Sequence, residues 1–444
     1  MKKLVLGFLW LATALPVHGE DGASGGGPSW LPQVLGAQVT EIRQSLRPFR
    51  SPYSGPNSLE SRGDNEGTQT YGIYLGSELT SRLQVYFDAE MARGAGVGHA
   101  VGLAGITNGD VIRQGTADLG NGPYVARAFL RYLMPLSSET APVERGVDHL
   151  PGAEAERHVE WKLGRLAASD DFDQNRYASS TRTQFLDWGL FNNSAWDFAA
   201  DTRGYTNGLV VGWIEPRFAL RFGSFQMTTQ ANGNVFDGDL RRARGDNLEL
   251  TLCPSKDGPV VRLLAFRNLA RMGIYREALV IAAATGTVPN IVADDRPGRV
   301  KYGFGLSFEQ PLADEGETGV FLRLGWDDGK TESFAFTEVD RQASTGLQLA
   351  GTAWHRSADR LSLALLVHGL SPEHRDYLAA GGSGFLLGDG NLRYSEETIG
   401  EAYYRVQIGK WLEVSPDFQY ISNPGYNRDR GPAKVWTLRL NVHG

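Results

Sequence analysis

Few residues in this sequence stand at spacings suited to making or breaking covalent bonds. Adjacent carboxylates occur at Asp170-Asp171, Asp294-Asp295 and Asp327-Asp328. Paired carboxyls serve both glycoside hydrolysis and hard-cation binding, but these lie in turn-like contexts where such pairs are solvated, without the spacing of a calcium loop. The Gly-Gly-Ser-Gly run at 381–384 lacks the spacing of a nucleophile elbow. Cys253 is the single cysteine, so no internal disulfide or multi-thiolate metal site is available, and the eight histidines form no His-Glu-x-x-His cluster. No catalytic residue, metal site or cofactor is assigned. What remains is a set of groups that exchange hydrogen bonds reversibly. The segment 171–208 carries Asp173, Asn175, Arg176, Arg182, Trp196, Asp201 and Arg203, while Arg127 and Arg131 lie two turns of the alternation apart upstream. Arg323, Arg405 and Arg439 recur further on, and Asp110 and Arg113 form a secondary pair within 92–123. For any one of these the default role is an exposed ion pair of about 0–1 kcal/mol. The elements that carry them must decide.

Those elements read as strands. Within 300–309, Val300, Tyr302, Phe304, Leu306 and Phe308 share one face of an extended chain, and Lys301, Gly303, Gly305, Ser307 and Glu309 share the other. The same period sets Val320, Leu322, Leu324 and Trp326 against Arg323, and Trp436, Leu438, Leu440 and Val442 against Thr437, Arg439 and Asn441. It sets Leu412, Val414, Phe418 and Tyr420 against Glu413, Asp417 and Gln419, and Phe218, Leu220 and Phe222 against Arg217 and Arg221. Arg127, Phe129 and Arg131 oppose Ala128, Leu130 and Tyr132, which points both arginines to one side. A one-residue slip would put Lys301, Arg323 and Arg439 on the apolar face, at roughly 2–4 kcal/mol each near a bilayer midplane, so the register is strongly specified.

A soluble β-sandwich alternates in the same way, but has no reason for the pattern of the links. After position 205 the connections 215–216, 254–258, 310–317, 354–358 and 409–410 are short, and 226–245, 268–298, 327–343, 368–398 and 422–432 between them are long. Strict alternation of short and long is what a transmembrane antiparallel barrel shows, with turns in the periplasm and loops outside. The expected strands beyond 205, together with 70–76, 83–91, 124–133, 160–166 and one near 36–44, bring the number to about sixteen, an even number that closes the sheet. Val39, Ile42 and Leu46 suit a short helix equally well, so the first strand is the least determined. The stretch 272–284 reads as a short helix packed on the rim.

Composition agrees. Glycine at 55 of 444 residues and aromatics at 10% are high, and the mean hydropathy of −0.29 excludes a bundle of membrane helices. A net charge of −7 with no basic tract excludes a nucleic-acid partner. Lys2 and Lys3, an apolar core at 4–15 and Val17-His18-Gly19 read as a signal peptide over 1–19, followed by a flexible linker over 20–35 and the barrel over 36–444. The expected location is the outer membrane of a Gram-negative-type bacterium.

Long strings in the expected loops resemble the OprB-type carbohydrate-selective outer-membrane porins. They are SPYSGPNSL at 51–59, GLAGITNGDVIRQG at 102–115, the run from Asp171 to Gly208, NLARMGIYREAL at 268–279, HRDYLAAGGSGFLLGDG at 374–390 and NPGYNRDRGP at 423–432. The resemblance spans nearly the whole mature chain, except that the sequence finishes on Asn441-Val442-His443-Gly444, where such barrels finish on an aromatic. It implies a monomeric barrel, inserted by the barrel-assembly machinery into outer-membrane lipid, that passes sugars by passive diffusion. In such a lumen Arg127, Arg131, Arg323, Arg405 and Arg439 from the strands, and the polar residues of 171–208, are the expected pore-lining groups, with Asp110 and Arg113 beside them. Arg375, Asp376, Arg428, Asp429 and Arg430 are expected to brace loops at the mouth. The alternatives are a general or charged-solute porin, and a soluble periplasmic carbohydrate-binding or carbohydrate-cleaving protein.

Overall fold

The alternation produces strands whose two faces meet opposite surroundings. In the computed structural model, which describes residues 31–110, 119–255 and 257–444, Lys301 and Arg323 are 0% exposed while Phe304 and Leu324 beside them are 54% and 41% exposed. This is a soluble core turned inside out, as expected where hydrocarbon lies outside the sheet and polar groups inside it. Trp161, Trp213, Trp326, Trp411 and Trp436 are all exposed on the outer surface.

The strands in chain order begin with β1 (Gln33–Leu46), β2 (Asp64–Thr80), β3 (Leu83–Gly94) and β4 (Tyr124–Pro135). A small hairpin of β5 (Thr140–Val143) and β6 (Gly152–Ala155) follows, then β7 (His158–Leu166), β8 (Thr206–Glu215), β9 (Phe218–Gln226) and β10 (Arg244–Leu252). The wall continues with β11 (Val260–Met272), β12 (Arg296–Ala313), β13 (Thr318–Asp327) and β14 (Arg341–Gly351), and ends with β15 (Arg356–Gly369), β16 (Glu397–Ile408), β17 (Leu412–Ser422) and β18 (Ala433–His443). All but β5 and β6 form one closed barrel of sixteen strands, sealed by β1 pairing antiparallel with β18 from Gln38 opposite His443 to Leu46 opposite Val435. Closure leaves no sheet edge unsatisfied in lipid.

That requirement resolves the ambiguity of the first strand. A helix there would leave the facing edges of β2 and β18 without partners, and β1 bonds to both. Its apolar residues Ile42 and Leu46 point inward, and Leu46 packs with Leu59 and Leu103 of the inserted loops, which is why its pattern differs from the other strands. The strand starts at Gln33, so it takes in the last three residues of the expected linker. The signal-peptide residues lie outside the described residues.

Two departures from the expected links stand out. The periplasmic link between β4 and β7 is long and holds the β5–β6 hairpin. The loop between β15 and β16 contains a second helix, Pro372–Ala379, capped by Ser371 through its hydroxyl, which accepts from His374 N at 3.1 Å. It packs against the expected helix, which spans Tyr275–Thr285, with the rings of Tyr275 and His374 stacked at 4.3 Å. Of the bracing charges, Asp429 pairs with Arg393 at 2.6 Å, and Arg430 donates to the carbonyls of Tyr53 and Leu59, both at 2.6 Å.

The outer loops are tied to one another by buried groups, one of which sets a pH dependence. Burial pushes the Glu332 carboxyl up to about 8, against the opposing hydrogen bond it accepts from Gly273 N at 3.1 Å. Its closed-state value lies above the ordinary 4.5, so the closed loop binds more protons than the open one, and closure weakens as pH rises from about 4.5 to about 8. The protection of the Gly273 amide, relative to its intrinsic base-catalysed exchange at each pH, is therefore expected to fall over that window, and Glu332→Gln to remove that fall. An unchanged pH profile in the variant would disprove the assignment.

Candidate functional site

The lumen is not an open tube, because the segment between β7 and β8 enters it and crosses to the periplasmic side. Its Tyr177 hydroxyl donates to the carbonyl of Gly316, in the periplasmic turn between β12 and β13, at 2.8 Å. Inward-facing strand residues hold it in place. Arg323 donates to Leu190 O at 2.7 Å, to Asp173 O and Ala178 O at 3.0 Å, and pairs with the Asp173 carboxylate. Arg439 donates to Thr181 O at 2.7 Å and Gln184 O at 2.6 Å. Lys301 pairs with Asp197 at 3.1 Å, and Asp197 in turn accepts from the amides of Phe334 and Ala335 in the loop after β13. The short Trp188–Phe191 helix, capped by the Asp187 carboxylate accepting from Gly189 N, supplies aromatic surface facing the remaining space. Burial, followed by the neighbouring Glu401 and Glu397, pushes the Asp187 carboxyl well above the usual carboxylate range.

The space left is a cavity of about 670 Å³ against the β1–β4 wall, lined by charged and aromatic side chains. Arg127 on β4 pairs with Asp88 on β3 at 3.2 Å and with Asp170 of the inserted loop at 2.6 Å. Arg182 reaches from the loop to Glu90 at 2.9 Å and Asp110 at 2.8 Å, and donates to the Tyr74 hydroxyl at 2.7 Å and Gln38 at 3.0 Å. Tyr205 and Tyr124 donate to Glu90 at 2.6 and 3.1 Å. The Arg203 guanidinium lies 4.5 Å from the centre of the Tyr124 ring. On the other side Trp188 stacks on Phe336 at 4.5 Å, with Phe191 edge-on to it at 5.0 Å and Phe198 near-parallel at 6.3 Å.

Of the residues expected to line a pore, Arg127, Arg182, Arg203, Asp110 and Asp173 border this cavity. Arg131 borders a second cavity of about 390 Å³ nearer the periplasm, where it pairs with Glu160 at 2.5 Å and with Glu154. The others stand away from both. Arg323 and Arg439 are buried beneath the inserted loop, and Asn175 donates to Ser307 and Phe308 of the wall. Arg176 projects beside the periplasmic turn, its Nη1 3.4 Å from Gly316 O. The Trp196 ring is buried against Phe198, its indole N–H donating to Asn247 at 2.9 Å. Asp201 pairs with Arg165 at 2.5 Å and accepts from the amides of Arg203 and Tyr205, which positions both. Arg405 faces inward but pairs with Glu413 at 3.5 Å, outside the cavity lining. Arg113 lies outside the described residues. For Arg323 and Arg439 the reason is that the inserted loop fills most of the lumen, so these inward-facing charges meet the loop and not water.

Asp88, Glu90 and Tyr74 were missed, although the same alternation that selects Arg127 puts Tyr86, Asp88 and Glu90 on one side of β3. Asp88 even stands directly opposite Arg127 in the register. Tyr205, Trp188, Phe198 and Phe336 come from loops, where periodicity carries no signal. The adjacent carboxylates have partners: Asp170 and Asp171 hold Arg127 and Lys162, Asp294 and Asp295 hold Arg296 and Arg271, and Asp327 accepts from Gly329 N at 2.7 Å. Ser194, His368 and Glu397 have the connectivity of a hydrolase triad, with Ser194 Oγ 2.8 Å from His368 Nε2 and His368 3.6 Å from Glu397. All three are fully buried, and Gln342 also holds the serine, so they clasp the loop to β14, β15 and β16.

A closed antiparallel barrel with an apolar exterior and a polar lumen narrowed by an inserted loop defines a porin, a class of channel. The family model for "Carbohydrate-selective porin, OprB family" matches residues 155–443, and the chain belongs to that family. It is accordingly an outer-membrane porin for carbohydrates. Among solved structures it is similar to OprB of Pseudomonas putida, with a TM-score of 0.70 at 14% identity over 93% of this chain and 94% of that one. It is also similar to the outer-membrane channel DcaP of Acinetobacter baumannii, with a TM-score of 0.50 at 9% identity over 95% and 99% of the two chains. No curated protein matches the sequence.

Proposed function

We propose that neutral sugars diffuse passively through the cavity between Arg127, Arg182 and Arg203 on one side and the Trp188–Phe336 aromatic group on the other. One observation carries this reading. Arg127, Arg182 and Arg203 at the cavity wall are engaged by carboxylates or rings, as in Arg182 with Glu90 and Asp110, so this part of the wall offers donors and acceptors side by side without a large excess of one charge. A sugar that sheds water there finds replacement partners of both kinds. The aromatic rings offer its apolar face a surface without tight capture. Each contact is weak, which flux requires, because a site that held the solute firmly would not release it. The charged groups act by hydrogen bonding and no covalent step is assigned to any of them.

The remaining features belong to the same reading. Residues 1–19 serve as a cleaved export signal, 20–35 as a linker and 36–444 as the barrel, inserted as a monomer by the barrel-assembly machinery with its apolar belt in outer-membrane lipid. Arg131, Asp173, Asn175, Arg176, Trp196, Asp201, Arg323, Arg405 and Arg439 shape or support the passage, and Arg127, Arg182, Arg203 and Asp110 meet the solute.

Purified protein in liposomes is expected to permit swelling in monosaccharides, and at lower rates in disaccharides and in charged solutes of monosaccharide size. In planar bilayers it is expected to give stepwise conductance that sugars reduce. Equal rates for charged and neutral solutes would favour a general porin, and the absence of both swelling and conductance would overturn the reading.

A further inference from the structure

The periplasmic links of this barrel are tight except for 136–157, which carries the β5–β6 hairpin. Its tip is a compact turn, with the amide of Gly146 donating to His149 O at 3.1 Å and that of His149 donating back at 3.3 Å. We propose that this hairpin is a fixed septum at the periplasmic mouth, which narrows and divides the outlet and sets Arg145 as the charge that solutes pass on leaving. The inference rests on the channel reading and adds a second selective point to it.

The hairpin folds back into the barrel instead of hanging free. Leu150 is only 5% exposed and sits with Leu35 and Tyr86, where Gly76 leaves room for it: a Cβ on that glycine would come within 3.2 Å of the Leu150 side chain. The Tyr86 hydroxyl accepts from Leu150 N at 3.2 Å. Glu154 on β6 pairs with buried Arg131 on β4, with a second hydrogen bond from Nη2 at 2.9 Å. The Asp148 carboxylate lies 2.8 Å from His149 Nδ1 and within the fields of Lys162 and Arg127, both inward-facing wall residues. A segment held by an apolar plug and a buried ion pair does not swing with the solvent.

Its two sides face different spaces. Arg145, Gly146 and Val147 line the larger cavity, which also reaches Leu35 and Gly444 at the periplasmic ends of β1 and β18. His149 and Glu154 line the smaller one, which reaches the periplasmic turn residues Glu215 and Cys253. The hairpin therefore stands as a wall between two outlets. Arg145 is exposed and has no hydrogen-bonded or ion-pair partner among the described residues, whereas the arginines Arg127 and Arg182 deeper in the same cavity are paired. A guanidinium without a carboxylate partner leaves its positive charge uncompensated toward a passing ion.

Three variants in planar bilayers test this. Shortening 138–155 to a tight Gly-Ser turn is expected to raise single-channel conductance, because it removes the element that divides the outlet. Arg145→Glu is expected to move the zero-current potential in a salt gradient toward cation selectivity. Val147→Cys in a Cys253→Ser background is expected to lose conductance, on the order of tens of per cent, when a cationic methanethiosulfonate is added from the periplasmic side. The two point variants keep the test valid where the shortened barrel does not fold. Wild-type selectivity in Arg145→Glu together with no response of Val147→Cys would overturn the septum. A wild type that neither conducts nor supports swelling would instead defeat the channel reading on which it rests.

Discussion

Arg323→Met is expected to open the channel. Arg323 is fully buried, and its guanidinium holds three backbone carbonyls and the Asp173 carboxylate of the inserted loop. Methionine fills a similar volume but supplies none of the donors, so the loop is left with an unpaired buried carboxylate and carbonyls that have lost their partner. Losing one side of such a buried pair costs about 3–5 kcal/mol, a large share of what holds any loop in place. The strand itself is unaffected, since β13 keeps its backbone pairing with β12 and β14. The expected phenotype is a folded, heat-modifiable barrel with higher single-channel conductance, faster swelling in disaccharides, and proteolytic cleavage within 173–190. Arg323→Lys is expected to fall between, because an ammonium satisfies the charge but not the forked set of acceptors. Wild-type conductance and sugar exclusion in Arg323→Met would show that the loop is held elsewhere.

Arg182→Ala is expected to change selectivity more than size. Arg182 is the cation shared by Glu90 and Asp110, and it also donates to Tyr74 and Gln38. Its removal leaves Glu90 with the hydroxyls of Tyr74, Tyr124 and Tyr205 and Asp110 with Thr70, which donates at 2.6 Å, and uncovers carboxylate charge at the cavity wall. The zero-current potential is expected to shift toward cation selectivity and anionic solutes to be excluded further. Neutral monosaccharide flux should fall, because a principal donor at the wall is gone. Arg182→Lys should retain the sign of the selectivity but not the full sugar flux. An unshifted potential in Arg182→Ala would place the selective point away from this wall.

The barrel was legible because the strands after the first state their own two-sidedness. Phe304 and Lys301, or Trp436 and Arg439, differ in burial as alternation requires, and the short and long links fixed which end of each strand faced which compartment. The β5–β6 hairpin and the Pro372–Ala379 helix were not legible, since neither follows from a period of two and both are stabilised by contacts with distant elements. Glu90 and Asp88 were within reach of the same argument that found Arg127. They went unread because a carboxylate on a strand resembles any solvated charge until its partner is known.

The sequence alone therefore determined that the chain crosses a membrane as an antiparallel barrel of about sixteen strands around a polar lumen, because lipid on one side and water on the other impose a period of two on the wall; the first strand was settled only by closure of the barrel. It could not determine which lumen charges meet the solute. Arg127 and Arg323 have the same signature, an arginine flanked by apolar residues on an alternating strand, yet one borders the cavity and the other lies sealed under the loop. That difference arises only when 167–205 folds into the barrel. The path of a loop is set by many weak, distant contacts, and no local spacing records them.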